Sequence, residues 1–113
     1  GRANRQDRKG LNAMKHVICI IKAFRTEAVV AALDGLPISE ILVSQVRGYG
    51  RQKDHLELYS DMQRHVSFLP KVRLEMTVPD EHVEEVVRRI TGAARTGRIG
   101  DGKIFVLPAV EID

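Results

Sequence analysis

The chain of 113 residues has room for one domain, because a protein of this size buries about two-thirds of its unfolded surface around a single core. Apolar residues make up 43% of it and charged residues 29%, a balance that excludes a disordered or fibrous protein. The pI of about 9.3 suggests a nucleic-acid-binding protein, but the net charge of +3 lies entirely within residues 1–13. The remainder is formally neutral and poor in aromatic residues, so we expect no nucleic-acid partner.

The N-terminal segment differs in composition from the rest of the chain. It has almost no apolar side chains, and its charged residues are Arg2, Arg5, Asp7, Arg8 and Lys9. Because such a segment cannot offset its own ordering entropy, we interpret residues 1–13 as a disordered basic extension or a cloning remnant, with a phosphate-binding arm as the alternative. Residues 14–113 are then expected to form the folded domain.

Two patterns bear on the cellular location. The single cysteine, Cys19, excludes a disulfide within the chain and lies in an apolar run, where we expect it to pack as a small hydrophobe. No apolar stretch reaches about 18 residues, and no signal-peptide pattern occurs. We therefore expect a cytoplasmic protein that is not inserted in a membrane.

Two strands and a helix are predicted before residue 48. The β-branched run Met14–Ala23 is too short for a typical helix and favours a central strand. Thr26 is a candidate N-cap for a short amphipathic helix, which Gly35 and Pro37 would end. Strand character returns over Ile38–Arg47.

Apolar periodicity disappears between Gly48 and Ser67, which predicts a loop of about 20 residues, called the long loop below. Loops beyond about 12–15 residues are uncommon in compact domains and are usually functional or disordered. We therefore expect the long loop to carry function.

The second half of the chain predicts strand, helix and strand. In Phe68–Val78 apolar residues alternate with charged ones, which indicates a strand with one buried and one polar face. A strongly amphipathic helix begins at Pro79 and Asp80, and a final apolar strand covers Ile104–Leu107. The expected i,i+4 ion pairs on the helix are Glu84–Arg88 and Glu85–Arg89.

The order βαββαβ predicts an α+β fold of the ferredoxin-like kind, with four antiparallel strands and both helices on one face of the sheet. The third strand also leaves apolar surface on the opposite face of the sheet. Because a small domain commonly buries such a face by closed oligomerisation, we expect an oligomer.

The segment RTGRIGDGK, Arg95–Lys103, is called the glycine loop below. It begins like a Walker phosphate loop, but Ile104 replaces the Ser or Thr that would hold magnesium, and a helix precedes it where a strand is needed. Its three glycines permit close backbone approach, and its three cations supply donors. The context therefore excludes an NTPase loop, and the composition of the glycine loop predicts a site for an anion such as phosphate, with a simple turn as the alternative.

Three motifs resemble the PII signal-transduction family in order and spacing. They are GYGRQKDHLELY at Gly48–Tyr59, FLPK at Phe68–Lys71 and RTGRIGDGKIFVLP at Arg95–Pro108, and the resemblance runs from Met14 to about Val110. It implies a ferredoxin-like fold, a homotrimer, and ATP or ADP bound in each cleft between subunits. It also implies that the long loop, the T-loop of that family, contacts a protein target.

The resemblance implies roles for individual residues. Those implied in nucleotide binding are Gly48, Gly50 and Arg51 at the base of the long loop, Glu75 in the adenine cleft, and Arg95, Gly100, Asp101, Gly102 and Lys103 in the glycine loop. Gln52 matches a glutamine that helps hold Mg²⁺, and Lys71 matches a lysine that binds 2-oxoglutarate. The implied partner-binding residues are Lys53, Asp54, His55, Glu57, Tyr59 and Arg64.

Three departures from the family's pattern matter. Arg64 stands where the family has a uridylylated tyrosine, and Tyr59 matches a different, unmodified one, so uridylylation by the usual route is not expected. Leu42 stands where a threonine commonly hydrogen-bonds the nucleotide. The sequence ends at Asp113, before a segment whose two arginines bind phosphate. Each lost charge-assisted bond is worth about 1.5–3 kcal/mol, so losing two would weaken binding by about 100-fold or more.

The residues leave alternatives open. Side chains that can ligate zinc, copper or nickel crowd the long loop, although their spacing matches no closed site: His55, Glu57, Asp61 and His65. The chain would then be a PII-like protein that serves metal or bicarbonate transport. An ATP-hydrolysing enzyme is less favoured, because the spacing shows no activated nucleophile or positioned base. We expect a non-enzymatic regulator that controls a target, such as a membrane transporter or metabolic enzyme, through the long loop, and that a target in the membrane can recruit.

Overall fold

The structure is a computed structural model of the chain, and it describes residues 13–48 and 70–112. The strands are β1 (Ala13–Lys22), β2 (Leu42–Arg47), β3 (Pro70–Pro79) and β4 (Gly102–Val110). The helices are α1 (Thr26–Ala32) and α2 (Val83–Ala94), each preceded by a short 3₁₀ turn, Ala23–Arg25 and Asp80–His82. The predicted order and the ferredoxin-like α+β fold are confirmed.

The four strands form one antiparallel sheet in the order β2-β3-β1-β4. The two central strands, β1 and β3, are the longest and contain the buried strand residues of the core, as expected for strands with neighbours on both sides. Cys19 lies opposite Leu74 of β3 and Ile104 of β4. This register brings the C-terminal ends of β1 and β2 to the same end of the sheet as the N-terminal ends of β3 and β4.

The core lies between the helices and one face of the sheet. Alternate residues of the central strands and one stripe of each helix supply its buried side chains. They are Val17, Cys19, Ile21, Val29, Leu33, Val72, Leu74, Met76, Val78, Val86, Ile90 and Ala94. Cys19 is fully buried in this core, which confirms that it packs as a small hydrophobe, and desolvation raises the pKa of its thiol to about 11.

The N-terminus of α1 differs from the prediction, which made Thr26 its N-cap. The prediction that its side chain caps α1 is wrong, because its hydroxyl Oγ1 donates to the Ala23 carbonyl at 2.7 Å. Thr26 already has helical dihedral angles, φ −56° and ψ −50°, since the 3₁₀ turn leads directly into the helix. A residue inside a continuous helical segment has no free end to cap.

Arginine side chains connect the two helices. Arg25 donates through Nε and Nη2 to the Ala93 carbonyl near the end of α2, at 2.9 and 2.6 Å. Arg89 donates from Nη1 to the carbonyls of Ala32 and Asp34 at 3.1 and 3.2 Å, which satisfies acceptors at the end of α1. Each helix therefore ends against a guanidinium: α2 ends against Arg25, which precedes α1, and α1 ends against Arg89 of α2.

The ion pairs on α2 centre on Glu85. The predicted pair with Arg89 is present, with Nε 2.8 Å from Oε2, whereas Arg88 pairs with Glu85 and not with the predicted Glu84. Both i,i+3 and i,i+4 neighbours lie within reach on a helix, so spacing alone does not select between them.

The face of the sheet away from the helices, called the open face below, carries both apolar and charged side chains. Leu42, Glu75, Ile18 and Phe105 form one row across it by register. Leu42 and Phe105 are 53% and 44% exposed. Apolar surface is therefore present on this face, but β1, β2 and β4 supply it. The prediction that the third strand leaves apolar surface there is wrong, because β3 turns Val72, Leu74, Met76 and Val78 into the core and leaves Lys71, Arg73, Glu75 and Thr77 on the open face. Among the described residues, no helix is long and apolar enough to cross a membrane.

Candidate functional site

A cleft of about 310 Å³ lies where α2 ends and β4 begins. Apolar residues form its floor and the glycine loop forms its rim. The lining residues are Ile21, Ile90, Thr91, Ala94, Arg95, Asp101, Gly102, Lys103 and Ile104. The structure thus brings together four of the residues that the sequence assigned to phosphate binding, and Gly100 lies beside them in the chain.

The backbone of the glycine loop requires its glycines. Gly97, Gly100 and Gly102 have φ values of 83°, 82° and 142°, a region that L residues rarely adopt. At Gly102 a Cβ atom would lie 2.4 Å from the Ile20 carbonyl oxygen, because β4 starts directly against β1. The glycines therefore permit both the path of the loop and its close approach to β1.

Asp101 organises the glycine loop from within. Its Oδ2 accepts hydrogen bonds from the amides of Thr96 at 2.8 Å and Gly97 at 3.0 Å. Its Oδ1 accepts from the Thr96 hydroxyl and from Lys22 Nζ, the latter at 3.1 Å. The Thr96 hydroxyl and amide, with Lys22 and the Gly97 amide, hold the pKa of Asp101 well below its usual range. The carboxylate stays charged and ties the two ends of the loop together.

Lys22 is a component that the sequence analysis missed. It is the last residue of β1 and 8% exposed, the only buried charged or polar residue in the described part of the chain. Its Nζ contacts Asp101 and also the Thr96 hydroxyl, at 3.3 Å. The sequence signal was a lysine ending an apolar strand, and its partner lies 79 positions away. No local spacing pattern could have joined the two.

The remaining cations of the loop define what it can bind. The amides of Thr96, Gly97 and Arg98 already donate within the loop, the last to the Thr96 hydroxyl at 3.2 Å. The side chains of Arg95, Arg98 and Lys103 are exposed. Since Lys22 compensates Asp101, these three cations leave an excess of positive charge beside the cleft. Such a surface suits an anion with several charges, such as a polyphosphate.

The other predicted site residues lie elsewhere on the same sheet. Gly48 follows β2 directly, and Lys71 of β3 lies opposite both Lys22 and Val46, so both are at the glycine-loop end of the sheet. However, β2 and β4 are the two edge strands, about 14 Å apart across three strand spacings. One chain therefore carries the glycine loop and the start of the long loop at opposite edges.

Glu75 lies on the open face, in the middle of β3. It accepts a hydrogen bond from His16 Nε2 at 3.0 Å and from Arg73 Nη2 at 3.3 Å. The buried Nε of Arg73 lies 3.2 Å from the other Glu75 oxygen without the direction of a hydrogen bond. The His16 hydrogen bond and the Arg73 charge lower the pKa of Glu75. Leu42, at the position of the family's threonine, lies directly opposite Glu75.

Several predicted residues lie outside the described residues. They are Gly50, Arg51, Gln52, Lys53, Asp54, His55, Glu57, Tyr59, Arg64 and the candidate metal ligands Asp61 and His65. Within residues 13–48 and 70–112, no group of three His, Cys, Asp or Glu side chains could hold a metal ion. The metal hypothesis therefore stays a prediction about the long loop.

Comparisons with known proteins agree on one family. Residues 14–113 match the family model described as Nitrogen regulatory protein P-II. A nitrogen regulatory protein P-II from Rhodobacter capsulatus is 52% identical over 93 residues, covering 82% of this chain and 83% of the relative. The nitrogen regulatory protein GlnK of Escherichia coli strain K12 is 47% identical over the same coverage. The structure of Arabidopsis thaliana PII bound to citrate aligns with a TM-score of 0.68 and 37% identity, covering 87% of this chain and 78% of that one.

Proposed function

Because the chain belongs to the nitrogen regulatory protein P-II family, we propose that it is a signal-transduction regulator that binds ATP or ADP between subunits and controls a target protein through the long loop. The observation that carries the proposal is the cationic glycine loop beside the α2–β4 cleft. Its charge and backbone suit the phosphates of a nucleotide. The relatives' names describe regulatory proteins, which supports a non-enzymatic role.

A homotrimer would complete the site. The glycine loop lies at the β4 edge, and Gly48, with Glu75 and Leu42 nearby on the open face, lies toward the β2 edge. A pocket that uses both groups needs a second copy of the chain. Association would also cover the exposed apolar side chains of the open face, such as Leu42 and Phe105.

Within such a pocket the residues divide by the part of the ligand they would contact. Arg95, Arg98 and Lys103 would bind phosphate oxygens, and Glu75 of the neighbouring copy would line the adenine cleft. Gly50 and Arg51 would approach from the long loop. Gln52 would help hold Mg²⁺ and Lys71 would bind the carboxylate of 2-oxoglutarate, so that the effector binds beside the nucleotide.

The target would be reached through the long loop, whose polar residues Lys53, Asp54, His55, Glu57, Tyr59 and Arg64 suit a protein surface. A membrane transporter or a metabolic enzyme is the proposed class of target. Binding to a transporter would bring a cytoplasmic regulator to the membrane without insertion of its own chain.

Isothermal titration calorimetry tests the proposal. Purified protein, with its mass in solution measured, is titrated with ATP, ADP and AMP, with and without Mg²⁺ and 2-oxoglutarate, and separately with bicarbonate and divalent metals. We expect a trimer that binds an adenine nucleotide and does not turn over radiolabelled ATP at metabolic rates. A monomer, or a trimer that binds none of these nucleotides at millimolar concentration, would contradict the proposal. Binding of only bicarbonate or a metal would favour the transport-related alternative.

Lys103 gives the sharpest single-residue test of this function. Lys103 is exposed and lines the cleft, so Lys103→Ala should remove one charge-assisted bond to phosphate without disturbing the core. The loss of about 1.5–3 kcal/mol corresponds to ATP binding weakened roughly 10- to 100-fold. Calorimetry measures it, and an unchanged affinity would reject this role for Lys103.

A further inference from the structure

We propose that Lys22 is a positioning residue for the glycine loop: it holds and neutralises Asp101, so that the loop can accept a polyphosphate, without itself touching the ligand. The inference rests on the proposed nucleotide-binding function. It adds the buried last residue of β1 to a site whose polar residues otherwise come from α2, β4 and the segment between them.

The location of Lys22 argues for a specific role. A charged side chain is rarely buried unless it is paired, because leaving water is costly for an ion. The Lys22 side chain is 10% exposed, and its ammonium has two partners in the glycine loop, Asp101 and the Thr96 hydroxyl. It does not line the cleft, whose lining begins one residue earlier in β1 at Ile21. Lys22 therefore contacts the glycine loop without lining the cleft.

Asp101 creates the need for such a partner. Its carboxylate lines a cleft that is otherwise cationic, and an unpaired carboxylate there would repel the phosphates of a ligand. The glycine loop nevertheless needs the Asp101 carboxylate, because it accepts hydrogen bonds from the amides of Thr96 and Gly97 and so sets the path of the loop. The Lys22 ammonium, 3.1 Å away, cancels the charge while leaving these hydrogen bonds in place.

Thr96 extends the contact into the loop. Its hydroxyl donates to Asp101, lies 3.3 Å from Lys22 Nζ, and accepts the Arg98 amide at 3.2 Å. Because Asp101 holds the Thr96 hydroxyl, Lys22 acts through Asp101 on the segment that positions Arg98. Loss of Lys22 should change both the charge and the order of the loop.

The first test compares Lys22→Met with a matched control. Methionine keeps the length of the side chain without its charge, and Lys15→Met removes the other ion-paired lysine described in β1, which pairs with Asp80 at the opposite end of the strand. We expect Lys22→Met to weaken ATP binding at least about tenfold and Lys22→Arg, which keeps the charge, to restore most of the affinity. Lys15→Met should bind as the unaltered protein does. Unchanged affinity in a folded Lys22→Met protein would overturn the proposal.

A double-mutant cycle separates positioning from general destabilisation. In Lys22→Met/Asp101→Asn the uncompensated charge is gone, while the amide oxygen of asparagine can still accept hydrogen bonds from the loop. The double variant should therefore bind ATP more tightly than Lys22→Met alone. If Lys22→Met does not fold, the double variant is compared with Asp101→Asn, and the two should agree within about twofold because Lys22 acts through Asp101. A further tenfold loss in the double variant would refute the inference.

Hydrogen exchange measured without nucleotide distinguishes failure of the proposed function from failure of the inference about Lys22. The Thr96 and Gly97 amides donate to Asp101, so their hydrogen exchange should be faster in Lys22→Met than in the unaltered protein or Lys15→Met. If the unaltered protein binds no nucleotide, the proposed function fails, and exchange alone then decides whether Lys22 orders the loop. If the unaltered protein binds ATP but neither affinity nor exchange responds to Lys22→Met, only the inference about Lys22 fails.

Discussion

At Gly102 the first residue of β4 lies so close to β1 that no side chain fits. A Cβ atom would lie 2.4 Å from the Ile20 carbonyl, and φ is 142°. Gly102→Ala should therefore push β4 away from β1 and lower the free energy of unfolding by about 1–3 kcal/mol. Urea denaturation measures this change.

Gly92 offers the matched control for that substitution. It lies in α2, is exposed, and a Cβ atom added there would meet nothing within 4 Å. Gly92→Ala should stabilise the protein by about 0.5–1 kcal/mol, because alanine loses less backbone entropy in a helix than glycine does. Equal effects of the two substitutions would contradict the close approach at Gly102.

At the scale of single residues, the sequence indicated which residue types form the glycine loop, but it did not indicate which distant residues contact one another. The glycines and cations of the glycine loop were identified because local residue types favour an anion site. Lys22 was not identified, because its partner Asp101 comes from the other end of the chain. Arg25 and Arg89 were missed as helix-end donors for the same reason, since each reaches a carbonyl more than 50 positions away.

Among the elements, α2 carries the clearest pH-dependent interaction. Hydrogen bonds from Arg88 and Arg89 lower the pKa of the Glu85 carboxylate from its usual 4.5 to about 2. A lowered pKa means that the ion pairs stabilise the folded state fully above about pH 4.5, and that this contribution is lost as the pH falls toward 2. Glu85→Gln should therefore reduce stability at pH 7 and flatten its decline between pH 4.5 and 2.

Denaturant unfolding at several pH values checks this expectation. Glu84→Gln is the matched control on the same helix, because Arg88 pairs with Glu85. The Glu84 variant should retain the acid dependence of the unaltered protein. A Glu85 variant with an undiminished slope below pH 4.5 would show that these ion pairs do not contribute to stability.

Element boundaries were predicted less well than element order. β2 begins at Leu42 and not at Ile38, because Ile38 is in a tight turn in which its amide donates to the Leu36 carbonyl at 2.7 Å. β4 extends over Gly102–Val110, beyond the predicted Ile104–Leu107, because it pairs with nearly all of β1. Hydrogen bonding to a long neighbour extends a strand into residues such as Gly102 and Pro108, whose types disfavour one.

For the whole molecule, the long loop and the nucleotide site should be separable. The glycine loop lies at the β4 edge, and residues 54–65 belong to the connection between β2 and β3. Deleting residues 54–65 should therefore abolish capture of the target while nucleotide affinity stays within about threefold. A pull-down of a target that the unaltered protein captures, paired with calorimetry, tests both expectations. Capture of the target by the deleted protein would count against the long loop as the docking element.

The glycine loop and the start of the long loop, the two half-sites of the proposed pocket, lie at opposite edges of the sheet. If the pocket forms between copies as proposed, this placement determines how the copies can join. When the β4 side of one copy meets the β2 side of the next, the contact is head-to-tail, with different surfaces on its two sides. Such a contact either closes into a ring or continues as a filament. Only in a ring does every half-site meet its complement on a neighbouring copy. The number of complete pockets then equals the number of subunits, and a single altered chain in a ring damages the pockets it shares with its neighbours.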